Sequence, residues 1–262
     1  LETEIFYLRF LRALAELCEG LTWVTNWKEE GLSKEDNSKL LPLLRNSFHD
    51  CSNISFESFH RDLVPKGEDV IFSKELIKTF GANEGQFIRN SRLPSLIAPA
   101  DLTAALRQRY TTSGKAIVGL AWDSQGGRAG KSVPLAQEGW NQILTNDGCF
   151  FVSLQYGDTW DTIKHVRSLY GVEIYQDPEV DIEKDLLTAA AQVNACDIIF
   201  TISTTAAHLA VAMNKKTILL LPSGPFVHWD FVDSYPNVVK AHDLSLDVAA
   251  RELRRAIGLI SR

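Results

Sequence analysis

The segment Cys196 to Pro222, C-D-I-I-F-T-I-S-T-T-A-A-H-L-A-V-A-M-N-K-K-T-I-L-L-L-P, leaves few folds open to the chain that contains it. Asp197 to Ile202 is a short, nearly continuous apolar run, and a strand of that kind is buried on both faces, as parallel sheets require. Ser203, Thr204 and Thr205 follow, where the strand gives way to a helix over Ala206 to Met213. Asn214 ends that helix, and Thr217 to Leu221 is the next buried strand, stopped at Pro222. Strand, hydroxyl-rich cap, helix and strand make a βαβ unit. Hydroxyls at such a junction cap the first backbone N–H groups, and the same helix start attracts phosphate because it carries about half a positive charge. His208 comes within the first turns and is placed to face whatever the cap binds. The plainer reading is that the hydroxyls only cap the helix and His208 is a satisfied polar residue near the core.

The rest of the chain supplies the sheet around this unit. Glu2 to Glu19 sets Ile5, Leu8, Leu11, Leu14 and Ala15 at helical spacing with Arg9, Arg12 and Glu16 between them, which predicts an amphipathic helix closed by Gly20. Strands are expected at Leu21 to Thr25, Ile54 to Phe59 and Asp69 to Phe72, with helices at Ser38 to Phe48, bent near Pro42, and Lys74 to Phe80. From Asn83 to Pro99 no period holds, and Gly85, Pro94 and Pro99 mark a linker. A helix over Ala100 to Arg109, with Asp101 or a neighbour at its start, leads into a second domain. The expected division is 1–92, a reduced first domain; 93–112, linker and lead-in helix; and 113–262, a ligand-binding domain.

In that second domain Ala116 to Trp122 is a buried strand, followed by D-S-Q-G-G-R-A-G-K-S-V-P-L. The glycines with Arg128 and Lys131 form a flexible basic loop at the carboxyl end of a strand, where open α/β sheets bind ligands; a solvated surface turn is the alternative. Helices are expected over Pro134 to Leu144, Thr159 to Leu169, Asp185 to Asn194 and Leu246 to Ile260, with strands at Cys149 to Leu154 and Val172 to Tyr175. Three loops, G-G-R-A-G-K-S, Q-Y-G-D and S-T-T, therefore fall at carboxyl strand ends, as in a nucleotide-diphosphate site.

Composition narrows the partners. A formal net charge of −6, from 33 acidic and 27 basic residues, argues against a general nucleic-acid surface. No apolar run approaches the ~20 residues that span a bilayer. Cys18, Cys51, Cys149 and Cys196 lack C-x-x-C spacing, so neither a zinc site nor a disulfide framework is indicated, and a reducing, cytoplasmic setting is expected.

V-G-L-A-W, K-S-V-P-L, F-V-S-L-Q-Y-G-D, D-L-L-T-A-A-A-Q-V-N-A-C-D, S-T-T-A-A-H-L-A and L-L-L-P-S-G-P, in this order from Ala116 to His242, resemble the nucleotide-sugar half of a group of bacterial glycosyltransferases. These are the GT-B enzymes related to the lipopolysaccharide heptosyltransferases, and more closely the modules fused to tetratricopeptide repeats. The resemblance implies two Rossmann-like domains facing across a cleft, the first reduced, with the last helix returning to brace the first. It implies Arg128, Lys131, Ser132, Ser203, Thr204 and Thr205 around the diphosphate, His208 on the phosphate or sugar side, Gln155 and Tyr156 near the base and Asp185 near the ribose. The family opens with a strand and an acidic turn; the matching place here reads Leu1-Glu-Thr-Glu4, which makes Glu2 or Glu4 the candidate base, with His228 as a second acid/base candidate. Glu2, Glu4 and Asp185 also read as helix-start acids. The implied reaction moves a hexosyl or heptosyl group from a nucleoside-diphosphate sugar to a glycan, lipid-linked or protein acceptor, by inversion, with no metal and no cofactor. The alternatives are a catalytically silent module that binds a nucleotide or a protein partner, and, less supported, a nucleotide-sugar epimerase.

Overall fold

The computed structural model describes residues 2–25, 39–58, 73–111, 114–124, 132–182, 184–222, 229, 232–243 and 245–260. Its first part runs α1 (Glu2–Tyr7), a 3-10 turn (Leu8–Phe10), α2 (Leu11–Ala15), β1 (Leu21–Thr25), α3 (Leu41–Ser47), β2 (Ile54–Ser58), α4 (Ser73–Phe80) and α5 (Glu84–Asn90). β1 and β2 pair in parallel, Leu21 opposite Ile54 through Thr25 opposite Ser58. The expected strand at Asp69 to Phe72 lies outside the described residues.

The opening segment departs from its amphipathic pattern. It is three short pieces ending at Ala15, and every residue from Ile5 to Leu11 is buried, Arg9 included at 2% exposure. A helix buried all round is packed on more than one side; here α1 lies between α4 and a helix of the second part, Thr205–Ala212. Pro42 starts α3 instead of bending it, at a position where no backbone N–H is needed.

The expected linker has structure of its own. Asn83 caps α5 by accepting from Gln86 N at 3.0 Å. Beyond α5 the chain is strapped down: Arg92 N donates to Arg9 O (2.9 Å), Ile97 N to Ser47 Oγ (2.9 Å), and Ser95 N and Leu96 N both donate to Ala212 O (2.7 and 3.1 Å).

The second part runs α6 (Ala100–Tyr110), β3 (Ala116–Ala121), α7 (Asn141–Leu144), β4 (Cys149–Ser153), α8 (Trp160–Tyr170), β5 (Ile174–Tyr175), α9 (Leu186–Ala195), β6 (Ile198–Ile202), α10 (Thr205–Ala212), β7 (Thr217–Leu221), β8 (Val238–His242) and α11 (Leu246–Ile260). The six strands form one parallel sheet in the order β5-β4-β3-β6-β7-β8, separate from β1-β2. Alternate residues feed two cores. Ile117, Ile199 and Leu219 face the side covered by α9 and α10, while Val118, Leu120, Phe200 and Leu220 face the side of α7, α8 and α11. Packing is tight at Gly119, where a Cβ would sit 2.5 Å from Leu154 Cδ1 and 3.1 Å from Cys196 Sγ.

Helices α9 and α10 are rich in alanine because they are covered twice, by the sheet beneath and by α1, α3 and α6 above. Only the expected end of the Pro134 to Leu144 helix forms, since Gly139 sits at φ 103° just before it. The sequence reading omitted β8. Helix α11 buries Leu246, Ala249, Ala250, Leu253 and Ala256 against α7, β7 and β8, so its apolar face covers its own sheet instead of returning to brace the first part.

Burial pushes the thiols of Cys149 and Cys196 up to about 12. An unfolded thiol ionises near 8.5 to 9, so above that pH the unfolded chain sheds protons that the folded one keeps. Folding stability is therefore expected to fall between about pH 9 and about 12. Urea midpoints at pH 8 and 10.5 check it: Cys196→Ala should fall less over that interval than the parent, and parallel declines would contradict the assignment.

Candidate functional site

In the order β5-β4-β3-β6-β7-β8 the connection leaving β3 runs to α7 on one face and that leaving β6 enters α10 on the other. The chain diverges between these adjacent strands, and the region outside their carboxyl ends is where open parallel sheets form a crevice that holds ligands.

At the end of β3, Trp122 and Asp123 are fixed by a side chain from the next strand. Gln155 Oε1 accepts from Trp122 N (3.1 Å) and Asp123 N (2.9 Å), and its Nε2 donates to Asp123 O (2.8 Å). Gln155 is buried and its amide is directed at backbone, so its role is to hold the β3 end, whereas the sequence reading placed it near a base. Asp123 also bridges to Ser132, and Val133 N donates to Trp122 O at 2.9 Å. The residues flanking the glycine-rich segment are thus held together, with Ser132 exposed. Arg128 and Lys131 lie outside the described residues, as does His228. Tyr156 is half-buried just beyond Gln155.

The start of α10 differs from the expected capping. Thr204 is the N-cap residue in extended conformation, yet its side chain makes no capping hydrogen bond. Thr201 Oγ1 donates to Ile202 O (2.8 Å), so in the 3.1 Å contact between Thr201 Oγ1 and Thr204 Oγ1 it is Thr204 that donates. Ser203 Oγ accepts from Trp229 Nε1 at 3.0 Å, which leaves its own proton for another acceptor. Ser203 and Thr204 are buried and Thr205 is half-buried, and the contacts of the first two hydroxyls are with Trp229 and Thr201 instead of with the helix start. His208 is 2% exposed, with its ring stacked on Trp229 at 4.6 Å and 28°. The sequence reading placed this imidazole on the phosphate or sugar side; in the fold its ring is buried against the Trp229 indole.

Asp185 is the N-cap of α9, accepting from Leu187 N (3.0 Å), Thr188 N (3.2 Å) and Thr188 Oγ1, so its contacts are those of a capping acid. Glu2 opens α1 and Glu4 lies half-buried on it, on the helix that packs against α10.

The sequence reading missed the cluster that holds the loop after β5. The Asp177 carboxylate, fully buried, accepts from Arg109 Nη1 (2.8 and 2.9 Å), Tyr110 OH (2.7 Å) and Glu179 N (3.0 Å), and Gln192 donates to Tyr110 OH at 3.2 Å. Burial, then the bond to Asp177, raises the Tyr110 pKa. Tyr110→Phe is expected to cost about 1.5–3 kcal/mol, the worth of a hydrogen bond to a charged group, in urea denaturation. A loss below a few tenths would show that water or rearrangement replaces the hydroxyl.

Among the described residues no cluster of His, Cys, Asp and Glu is arranged to hold a metal ion, and no helix is long and apolar enough to cross a membrane.

No family model matches the chain. The chain is 31% identical over 126 residues to Protein FlbA of Caulobacter vibrioides, an alignment covering 46% of this chain and 21% of FlbA, so it spans a small part of that relative. Among solved structures it is similar to the glycosyl transferase family 9 protein from Veillonella parvula DSM 2008, with a TM-score of 0.65 at 11% identity over 99% of this chain and 95% of that one. It is also similar to the E. coli ADP-heptose lps heptosyltransferase II, with a TM-score of 0.50 at 14% identity over 66% of this chain and 57% of that one. These likenesses show the fold: a mixed α/β, GT-B-like architecture over nearly the whole chain.

Proposed function

We propose that this chain binds a nucleoside-diphosphate sugar in the crevice between the ends of β3 and β6 and transfers its sugar to an acceptor hydroxyl. The observation that carries the reading is the start of α10: a helix N-terminus at the sheet's switch point, where the Thr204 hydroxyl donates inward instead of capping and Ser203, accepting from Trp229, keeps its own proton for another acceptor. Breaking the sugar–phosphate bond puts new negative charge on the departing diphosphate. A helix start, the Ser203 hydroxyl and the loop cations Arg128 and Lys131 would stabilise that charge without a metal. Glu4 or Glu2 would take the acceptor proton, with His228 as the other candidate, and attack from the face opposite the diphosphate would invert the sugar carbon.

A binding module without turnover is the second reading. It is favoured by one observation: Glu4, a candidate base, lies half-buried on α1, a helix packed against α4 and α10. Incubation with a panel of nucleotide sugars and candidate acceptors, followed by measurement of released nucleoside diphosphate, separates the two. Release that depends on an acceptor supports transfer; saturable binding with no release across the panel supports the module.

A further inference from the structure

Arg9 is buried to 2% exposure, and among the described residues it has no carboxylate partner. Its guanidinium lies 4.4 Å from the Phe6 ring centroid, 5.2 Å from Phe87 and 4.7 Å from Tyr235, donating from Nε to Phe6 O (2.7 Å) and from Nη1 to the Tyr235 hydroxyl. A cation in such a place is costly to bury, and an apolar side chain of similar volume would serve packing better. Burial lowers its pKa from the ordinary value, with Tyr235 opposing. Its three rings come from α1, from α5 and from the segment after β7, so it joins chain segments that are remote in sequence.

The contacts then continue in one direction. Tyr235 meets Trp229 edge-on at 6.5 Å and 73°, and Trp229 stacks on His208 while donating its indole N–H to Ser203 Oγ. We infer that Arg9 is a positioning residue for the site at the start of α10: it anchors Tyr235, and through Tyr235 holds the Trp229 indole over His208 and Ser203. The inference rests on the nucleotide reading of that site. Its physical basis is that Arg9 supplies the Tyr235 hydroxyl with a directional donor that no packing contact replaces.

The test uses the whole chain with 15N-labelled tryptophan indoles, the Trp229 signal assigned by Trp229→Phe, together with calorimetric titration by a nucleoside diphosphate and by the matching nucleoside. Arg9→Met and the milder Tyr235→Phe are expected to shift the Trp229 indole signal and speed its exchange with water. Both should weaken diphosphate binding roughly 2- to 30-fold, the range for mutations that act through a packed network, and leave the nucleoside unchanged. Arg9→Lys should recover part of the loss. The other indole signals, unmoved, report that the fold is intact. An unshifted Trp229 signal in Tyr235→Phe, or a diphosphate affinity that survives both variants, overturns this inference alone. A parent protein that binds nucleoside and diphosphate equally overturns the reading of the site, whatever the indole does.

Discussion

Trp140→Ala is expected to destabilise the protein by about 3–5 kcal/mol, the usual cost of emptying a large aromatic site in a core. Trp140 is fully buried in the core beneath α7, its ring 5.4 Å from Phe200 in the adjacent strand β6. Among the described residues its indole N–H has no hydrogen-bond partner, so volume is what it contributes. The hole would open between α7, α11 and the sheet, where neither the strands nor the alanines of α11 can move in to fill it. Native stability is about 5–15 kcal/mol, so such a loss takes a large share of it. Trp140→Phe should cost clearly less, because part of the volume stays and an unsatisfied N–H is removed. Urea denaturation of the two variants measures the difference; an alanine variant within 1 kcal/mol of the parent would falsify the account of this core.

The second large effect is on binding. Lys131→Ala is expected to weaken nucleoside-diphosphate affinity by roughly 10- to 100-fold, the loss of one charge-assisted hydrogen bond to phosphate. Lys131 directly precedes Ser132, which bridges to Asp123 just beyond the end of β3. Thr205→Val should cost less, since the backbone donors of α10 remain. Thr204→Val should act on stability more than on affinity, because the Thr204 hydroxyl donates inward to Thr201. Titration with diphosphate against nucleoside is the comparison to make. If Lys131→Ala keeps the diphosphate's advantage, the phosphate lies elsewhere.

The strands of the large sheet were legible because parallel strands covered on both faces read as unbroken apolar runs, as in Ile198–Ile202 and Thr217–Leu221. The edge strand Val238–His242 was not, since its half-exposed positions admit Lys240 and His242. Helix α5 was hidden because it buries only Phe87 and shows no period, although Asn83 was a cap signal in plain view. The strand ends and the hydroxyls at the start of α10, on which the proposed site rests, were readable. The direction of those hydroxyls was not, because Thr204 turns toward Thr201 and Ser203 toward Trp229, and both choices depend on packing. Arg9 sat on the polar stripe of an apparently amphipathic helix; nothing local reveals that Tyr235 covers it.

The apolar cluster that encloses Phe6, Phe10 and Leu11 also contains Ala206, Leu209 and Tyr235, so the start of the chain is finished by residues far along it. On a ribosome adding about 5–20 residues per second, Phe10 is made roughly 10–40 s before Thr205, the first residue of the helix that α1 packs against. Over that interval these apolar residues have their later partners still unmade. Pausing or slow codons between β3 and β6 would lengthen this exposure, and a chaperone that shields nascent apolar segments would matter more to the yield of this protein than to that of one whose first ninety residues close a core by themselves.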